Sequence, residues 1–266
     1  MTRVVVVTGG SAGIGRATCD ALAAGGWCVV GASRRALGGD GWDGLAMDVT
    51  DDASVEAAVA EVLARHGRID AVVACAGAGV AGPAETTPMD EAVAQLDTNF
   101  WGAVRVVRAA LPAMRANAGG RVVLVSSIGG IMGLPFQSFY SASKFALEGW
   151  GEALAYEVAP FGIEVSVIEP GNVATEFTDR RRTVGTEGAG EVYAAAAQRA
   201  IDTMAADERA GVAPAAVAAT IRKALESPRP PRRRSVGPTG ERVATVAKRL
   251  LPARAFERAA RGSLGV

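Results

Sequence analysis

The sequence predicts an α/β protein with a doubly wound parallel sheet, and three observations support this. Short valine-rich runs alternate with segments of helical periodicity over the first 170 residues. The first run, residues 3–8, is apolar without alternation, which is typical of a strand buried on both faces. A glycine-rich turn and then a helical segment follow it directly. Right-handed crossovers in this β-α-β rhythm predict parallel strands between two layers of helices.

The elements follow from local periodicity and from turn residues between them. Strands are expected over residues 3–8, 27–31, 45–47, 71–74, 121–126 and 164–168. Helices are expected over residues 14–24, 53–65, 88–116 and 138–158. The pattern weakens after residue 170, where short helices over 192–206, a helix over 214–226 and an edge strand over 234–237 are expected.

One domain is expected over residues 1–266, because 266 residues with 49% hydrophobic content can bury one large core. Residues 173–212 are predicted to form a helical lid over the substrate, and residues 238–266 a basic, amphipathic C-terminal extension. Leu250, Leu251 and Phe256 are its apolar anchors. The extension could cap the pocket, pack on a neighbour or touch a membrane surface, and its pattern favours packing.

Composition narrows the function classes. Lys+Arg and Asp+Glu are both 28, which argues against a protein that coats nucleic acid. The three cysteines predict neither a disulfide framework nor a zinc site, so a cytoplasmic location is the default. The single histidine, His66, is expected to be a solvated structural residue, and no metal site is predicted. No signal peptide and no apolar run of about 18–20 residues, as a membrane span requires, is found.

The turn after the first strand has the composition of a dinucleotide phosphate loop. Glycines allow a tight turn and a close approach of the backbone to a pyrophosphate. The following helix offers free N–H groups and a partial positive charge. A structural turn would also use glycine, but the strand-turn-helix context favours cofactor binding. The expected contacts are Gly9, Ser11, Gly13, Ile14 and Gly15.

The end of the second strand predicts NADP(H) in preference to NAD(H). An acidic residue there would hydrogen-bond the adenosine ribose of NAD, and this sequence has none. Ser33 and Arg34 stand in that place, and a guanidinium matches the geometry of a 2′-phosphate. The alternative is a solvated pair formed by Arg34 and Arg35.

Tyr140 and Lys144 are candidate catalytic residues, because four-residue spacing in a helix places them on one face, about 6 Å apart along the axis. A neighbouring ammonium is expected to lower the pKa of the tyrosine. Ser127 follows the fifth strand, and ligands of doubly wound folds bind at the carboxyl ends of strands. Its hydroxyl could hold a substrate oxygen.

Five motifs in matching order and spacing make residues 1 to about 240 resemble the short-chain dehydrogenase/reductase family, which has a Rossmann fold. The amino-acid sequences of segments 130–136 and 143–149 are similar to those of hydroxysteroid and retinol dehydrogenases. The motifs are the loop 8–15, Asp48-Val49, the segment 99–102, Ser127 with Tyr140 and Lys144, and the segment 170–175.

The resemblance implies a role for each matching residue. Tyr140 would be the general acid for ketone reduction and the base for alcohol oxidation. Lys144 would hold the nicotinamide ribose, Ser127 would polarise the carbonyl, and Asn99 would support a water chain to Lys144. The remaining implied cofactor contacts are Asp48 and Val49 at the adenine, Ala76 and Gly77 after the fourth strand, and Pro170, Gly171, Val173 and Thr175 at the nicotinamide.

One motif departs from the family pattern. Asn-Asn-Ala-Gly usually follows the fourth strand, whereas this chain has Ala74-Cys75-Ala76-Gly77. The lost amides would put cofactor affinity or local rigidity in doubt more than the chemistry. Cys75 is expected to pack as a small hydrophobe. A reactive catalytic thiol is the alternative.

A lipophilic ketone or alcohol is the expected substrate class. Met132, Leu134, Phe136 and Phe177 could line an apolar pocket, although ordinary core packing explains them equally well. The arginines at 180–182 are expected to form a solvated lid face rather than a clamp for a carboxylate. The lid is expected to be mobile and to order on ligand binding.

A homodimer or homotetramer is implied by the resemblance, through helices at 103–116 and 145–158. The first of these has an apolar stripe that would pack on a second subunit. The stripe consists of Ala103, Val106, Val107, Ala110 and Leu111.

The leading hypothesis is an NADP(H)-dependent carbonyl reductase or alcohol dehydrogenase. An internal-redox epimerase or dehydratase on the same fold is the second. A catalytically silent NADP(H)-sensing protein is the third, and the intact set of Ser127, Tyr140 and Lys144 argues against it.

Overall fold

A seven-stranded, all-parallel sheet forms the centre of the molecule, in the order β3-β2-β1-β4-β6-β7-β9. The structure is a computed structural model that describes residues 2–264, without the side chains of 249, 259–261, 263 and 264. Two short strands, β5 and β8, pair separately. The strands are β1 Val4–Thr8, β2 Cys28–Ser33, β3 Asp43–Ala46, β4 Ala71–Ala74, β5 Val80–Ala81, β6 Gly120–Val125, β7 Ile163–Pro170, β8 Arg182–Thr183 and β9 Arg233–Val236.

Helices cover both faces of the sheet, which confirms the predicted doubly wound α/β fold. The helices are α1 Gly13–Ala23, α2 Asp52–His66, α3 Met89–Leu96, α4 Gly102–Ala116, α5 Ser138–Val158, α6 Phe177–Arg180, α7 Glu191–Arg209, α8 Pro214–Glu226, α9 Thr239–Leu250 and α10 Ala253–Leu264. Alternate residues of β1 point to opposite layers. Val4 and Val6 contact the α2, α4 and α5 layer, and Val5 and Val7 contact the α1 and α8 layer.

The helix predicted over residues 88–116 is interrupted. A π-helical turn, Asp97–Trp101, separates α3 from α4. Such turns insert a residue into the helical ladder and occur often at functional sites. Periodicity alone could not predict it, because the apolar pattern continues on both sides. The turn carries Asn99, which is 1% exposed.

The apolar stripe expected to face a second subunit packs instead on the chain's own sheet. Val106, Val107 and Ala110 are fully buried, and Ala103 is 8% exposed, all in the core between α4 and the strands. The prediction that these residues form a subunit interface is therefore wrong. The physical reason is that a doubly wound sheet needs an apolar helix face on each side.

His66 is half-buried rather than solvated. Its Nδ1 atom lies 3.5 Å from the Cys28 sulfur, and its Nε2 atom is buried without a hydrogen-bond partner in the structure. The expectation of a solvated histidine is wrong, because the end of α2 packs beside β2. All three cysteines are free.

The described residues contain no helix long and apolar enough to cross a bilayer. They also bring together no group of three or more His, Cys, Asp or Glu side chains suited to a metal ion.

Replacement of Val106 by Ala should lower the free energy of unfolding by about 1–3 kcal/mol, because the lost methyl groups are fully buried in one chain. Denaturant unfolding at several protein concentrations measures this change. Val93→Ala is the control, since Val93 on α3 is 61% exposed and should change stability little. A Val106→Ala loss that disappears at low protein concentration would instead place Val106 in a subunit interface.

Candidate active site

The loops that carry the predicted site residues meet at one edge of the sheet. Parallel strands β1, β4, β6 and β7 end at Thr8, Ala74, Val125 and Pro170. The carboxyl ends of parallel strands share an edge, and this is where doubly wound folds bind ligands. The glycine loop, the Cys75 loop, Ser127 and the segment 171–176 therefore lie along one cleft.

The phosphate loop has the backbone that its glycines predict. Gly9 and Gly13 have φ angles of 70° and 50°, which favour glycine. A Cβ on Gly15 would overlap the Gly9 carbonyl. The N-cap of α1, Ala12, provides no side-chain hydrogen bond. The first N–H groups of α1 are thus uncapped by that residue, as an anion site requires.

Ser33 and Arg34 lie at the end of β2 as predicted. The Ser33 hydroxyl is buried and has no hydrogen-bond partner in the structure, whereas Arg34 is exposed. A buried hydroxyl without a partner is costly unless a ligand or water satisfies it. Next to β2, hydrogen bonds from the Thr50 N–H and hydroxyl lower the pKa of Asp48, and Arg34 contributes a smaller effect. This end of the cleft has the donors that a 2′-phosphate needs.

Val49 is buried against the start of α4, where a Cβ on Gly102 would lie 2.7 Å from a Val49 methyl group. The Arg105 guanidinium donates to the Val49 carbonyl over 3.3 Å. These contacts fix the loop after β3.

Lys144 is buried and 6% exposed, with Nζ donating to the Val125 carbonyl over 2.9 Å. Burial lowers the pKa of this ammonium to about 8, while electrostatic interactions with Cys75 and Glu148 act in the opposite direction. A lysine with this pKa changes protonation near physiological pH. Such a shift in a cleft is typical of a functional site.

Tyr140 lies beside Lys144, with Nζ 5.8 Å from the centre of the phenol ring. Burial raises the pKa of Tyr140 to about 12, and the hydrogen bond with Ser127 opposes that shift. The expectation that Lys144 lowers the pKa of Tyr140 below its ordinary value is therefore wrong for the chain without a bound cofactor. Lys144 donates to Val125, and desolvation of the phenolate outweighs the effect of the nearby charge.

Ser127 and Tyr140 face the same space above Gly129. The Ser127 oxygen accepts a hydrogen bond from the Gly129 N–H over 3.0 Å. A Cβ on Gly129 would lie 3.1 Å from the Tyr140 ring and 3.4 Å from the Ser127 oxygen. The Ser127 and Tyr140 side chains, which share a hydrogen bond, thus both lie beside Gly129, where a larger residue would contact them.

Asn99 is held by three hydrogen bonds. Its Oδ1 atom accepts from the Ala78 N–H over 2.8 Å, and its Nδ2 atom donates to the Ala78 carbonyl and to Ser143. A Cβ on Gly77 would lie 3.4 Å from Asn99 Oδ1 and 4.0 Å from Lys144 Nζ. The space beside Gly77 therefore borders both polar groups, as a ribose contact at Lys144 requires.

The Cys75 loop is braced by a threonine. The Thr8 hydroxyl accepts hydrogen bonds from the Cys75 and Ala76 N–H groups, each over 3.0 Å. These bonds connect the ends of β1 and β4. Burial raises the pKa of Cys75 to about 12 although Lys144 acts to lower it, so the thiol stays neutral. A neutral, desolvated thiol is a poor nucleophile.

The predicted nicotinamide loop is tied to the C-terminal extension by Glu241, a residue that the sequence analysis missed. The Glu241 carboxylate accepts from the Asn172 N–H over 2.9 Å and from the Asn172 side-chain amide. A Cβ on Gly171 would overlap it. Val173 forms a parallel β-bridge with Val212. The Thr175 side chain lies close to the glycine loop, 3.4 Å from the position that a Cβ on Gly13 would take.

The lid contains a buried ion pair, which corrects the prediction of a solvated arginine face. The Arg181 side chain is 2% exposed and donates to Glu208 over 2.7 Å. Glu208 also accepts from the Thr178 hydroxyl over 2.6 Å. The pair connects α6 to α7 and acts on the pKa of Tyr140. Arg180 is exposed, as predicted.

The expected apolar pocket is only partly assembled from the predicted residues. Phe177 contacts Tyr140, with ring centres 5.9 Å apart. Leu134 lies 3.2 Å from a Cβ built on Gly129. Phe136 packs instead on the inner face of α7, beside Ile201 and Met204. Phe177 and Leu134 thus lie beside Tyr140 and Gly129, whereas Phe136 lies in a separate apolar cluster.

Glu148 is a buried carboxylate one helical turn after Lys144. Its Oε2 atom accepts from Arg233 over 3.0 Å, and its Oε1 atom is buried without a hydrogen-bond partner in the structure. Burial raises the pKa of Glu148, the Ser126 hydroxyl opposes the shift, and Glu169 adds to it. The charge of Glu148 thus favours the charged form of Lys144.

The family model for the short chain dehydrogenase matches residues 3–184, and the chain belongs to this family. The 3-ketodihydrosphingosine reductase of Bacteroides thetaiotaomicron is 39% identical over 94% of this chain and 93% of its own length. Human 17-beta-hydroxysteroid dehydrogenase type 1 is 46% identical over 51% of this chain and 41% of its own. These matches confirm the resemblance that the motifs predicted.

Solved structures agree with the family assignment. A short-chain dehydrogenase from Streptomyces avermitilis has a TM-score of 0.84 and 35% identity, with 98% of each chain covered. An alcohol dehydrogenase from Thermococcus sibiricus, complexed with 5-hydroxy-NADP, has a TM-score of 0.73 at 22% identity and shares the fold. The chain is thus an oxidoreductase of this family.

Glu148→Gln should shift the basic limb of the pH–rate profile to lower pH. Removal of the negative charge lowers the pKa of Lys144 further, so the ammonium is lost at lower pH. Glu152→Gln is the matched control, because Glu152 also bonds Arg233 but is 50% exposed. An unchanged basic limb in Glu148→Gln, or an equal shift in both variants, would contradict this role of Glu148.

Proposed function

We propose that this chain is an NADP(H)-dependent reductase of lipophilic ketones, which can also oxidise the corresponding secondary alcohols. The observation that carries the proposal is the hydrogen bond between the Ser127 and Tyr140 side chains, with the ammonium of buried Lys144 5.8 Å from the centre of the Tyr140 ring. Polarisation of a carbonyl oxygen and transfer of a proton to it need this arrangement.

The proposed preference for NADP(H) is supported by the cleft itself. The uncapped start of α1 suits a pyrophosphate, and the unpartnered Ser33 hydroxyl with exposed Arg34 suits a 2′-phosphate. The small Gly77 leaves space for a ribose beside Lys144 and Asn99. NADPH supplies the hydride when bound, and the chain supplies position and the proton.

In the proposed mechanism, Ser127 donates a hydrogen bond to the ketone oxygen while Tyr140 donates the proton. A tyrosine with a pKa near 12 stays protonated at neutral pH, as a general acid must. Developing negative charge on the substrate oxygen is stabilised by both hydroxyls. Lys144 holds positive charge near the phenol, and Asn99 keeps the adjoining loop in place for proton resupply.

The proposed substrate is a long-chain ketone. The Bacteroides relative is named as a reductase of 3-ketodihydrosphingosine, and the similarity extends over nearly the whole of both chains. The contact between the Phe177 and Tyr140 rings supports this choice, because it places an apolar side chain beside the proposed proton donor. An internal-redox reaction on the same residues would consume no NADPH, and a sensor would turn nothing over.

We also propose a cytoplasmic homodimer or homotetramer. The interface would use aromatic side chains that remain exposed near α4 and α5, rather than the buried stripe of α4. These side chains are Trp101, Phe145, Tyr156 and Phe161.

Tyr140→Phe should lower kcat for reduction of 3-ketodihydrosphingosine by roughly 1,000-fold or more, while NADPH still binds. The ring and its packing remain, and only the proton donor is lost. Steady-state kinetics and NADPH fluorescence titration measure the two effects. Tyr156→Phe is the control on the same helix, because Tyr156 is 73% exposed. Substantial turnover by Tyr140→Phe would exclude Tyr140 as the proton donor.

Arg34→Asp should reduce the ratio of kcat/KM for NADPH over NADH by about 10–100-fold, since a charged hydrogen bond to phosphate is replaced by repulsion. Arg35→Asp makes the same charge change one residue later, where the guanidinium lies 3.5 Å from Ser11. A larger effect from Arg35→Asp, or an unchanged ratio in Arg34→Asp, would remove Arg34 from the phosphate site.

A further inference from the structure

Helix α9 is inverted relative to an ordinary surface helix. Val243, Val246 and Leu250 share one face and are 60%, 55% and 77% exposed. The opposite face carries Thr245, which is 6% exposed, and Glu241. A surface helix of a soluble protein usually buries its apolar face. Here the polar face is turned to the protein and the apolar face to solvent.

The polar face explains this orientation. The Glu241 carboxylate accepts a hydrogen bond from Asn172 just after β7. Gly237 lies close to Gly171, because a Cβ on Gly237 would be only 3.2 Å from the Gly171 Cα atom. These contacts fix the start of α9 at the cleft. The exposed apolar face is therefore imposed by the hydrogen bonds at Asn172.

Helix α10 continues the surface and connects it to the lid. Phe256 is 9% exposed, with the Lys248 ammonium 4.9 Å from the centre of its ring, and α10 packs on α7. Leu251, in the connection between the two helices, is 47% exposed. Helix α10 thus contacts both α9 and the lid helix α7.

The net charge of the segment formed by α9 and α10 differs from that of the chain as a whole. Residues 239–264 contain six basic and two acidic side chains, whereas the whole chain is neutral. Arg242, Arg254 and Arg258 are exposed. Exposed aliphatic side chains with basic neighbours are the composition of helices that lie in the plane of an anionic membrane surface.

We propose that the outer surface of α9, with Leu251 and the exposed Arg242, Arg254 and Arg258, docks the protein on an anionic lipid bilayer beside its lid. Val243, Val246, Leu250 and Leu251 enter the interface, and the arginines contact headgroup phosphates. A second copy fits this surface less well, because a two-fold pairing would bring the basic residues together. Docking here places the lid next to the phase in which a long-chain ketone dissolves.

Vesicle flotation of the full chain tests this proposal without any turnover. Vesicles of phosphatidylcholine alone are compared with vesicles of equal parts phosphatidylcholine and phosphatidylglycerol. The chain should float with the anionic vesicles, bind pure phosphatidylcholine more weakly, and lose binding as salt concentration rises. The combined change Val243→Ser, Val246→Ser and Leu250→Ser should lower partitioning at least about tenfold.

The matched control is Val93→Ser, which removes an exposed valine from α3 and should float like the unchanged chain. Circular dichroism and the thermal midpoint confirm that each variant is folded. Equal flotation of the triple variant, or no flotation of the unchanged chain, would overturn the proposal. Conversion of a dimer to a monomer by the triple variant, without a loss of flotation, would assign the surface to a second copy. Because flotation needs neither cofactor nor substrate, its failure leaves the proposed reaction untouched.

Discussion

The burial of one lysine ammonium is the constraint on which the catalytic end of this molecule depends. Lys144 lies at the carboxyl edge of a sheet whose central strands are rich in valine, and its ammonium donates a hydrogen bond to the Val125 carbonyl. Its charge is maintained by Glu148 behind it against a large desolvation cost. The same desolvation keeps Tyr140 protonated. Both effects require the dense packing of the parallel sheet.

The C-terminal third completes the site rather than merely extending the chain. The Arg181–Glu208 ion pair fixes α6 to α7 in front of Tyr140, and Glu241 fixes α9 to the loop after β7. Each contact joins residues that are distant in sequence. The hydrogen bonds between Glu241 and Asn172 hold the polar face of α9 against the protein and so turn its apolar face outward. The same hydrogen bonds therefore fix the loop after β7 and expose the proposed lipid-facing surface.

Local patterns predicted the parts of this structure that depend on local physics. The succession of the main strands and helices along the chain, the glycine loop before α1 and the common face of Tyr140 and Lys144 follow from periodicity and spacing, and the structure agrees. The buried stripe of α4, the π-helical turn at Asn99 and the ion pair of Arg181 depend on what packs against each segment, which spacing does not encode. Glu241 had no signal beyond its place in a basic segment. The shift of the Tyr140 pKa depends on burial, which the sequence analysis did not weigh.

Transfer of deuterium from NADPH that carries deuterium at both C4 positions to 3-ketodihydrosphingosine tests the central claim most directly. One NADPH should be consumed for each alcohol formed. The alcohol should carry one deuterium on its carbinol carbon, because hydride transfer beside Tyr140 delivers it there. Mass spectrometry of the product locates the label. Product that carries no deuterium, or turnover of a bound substrate without net loss of NADPH, would contradict the claim and favour an internal-redox reaction.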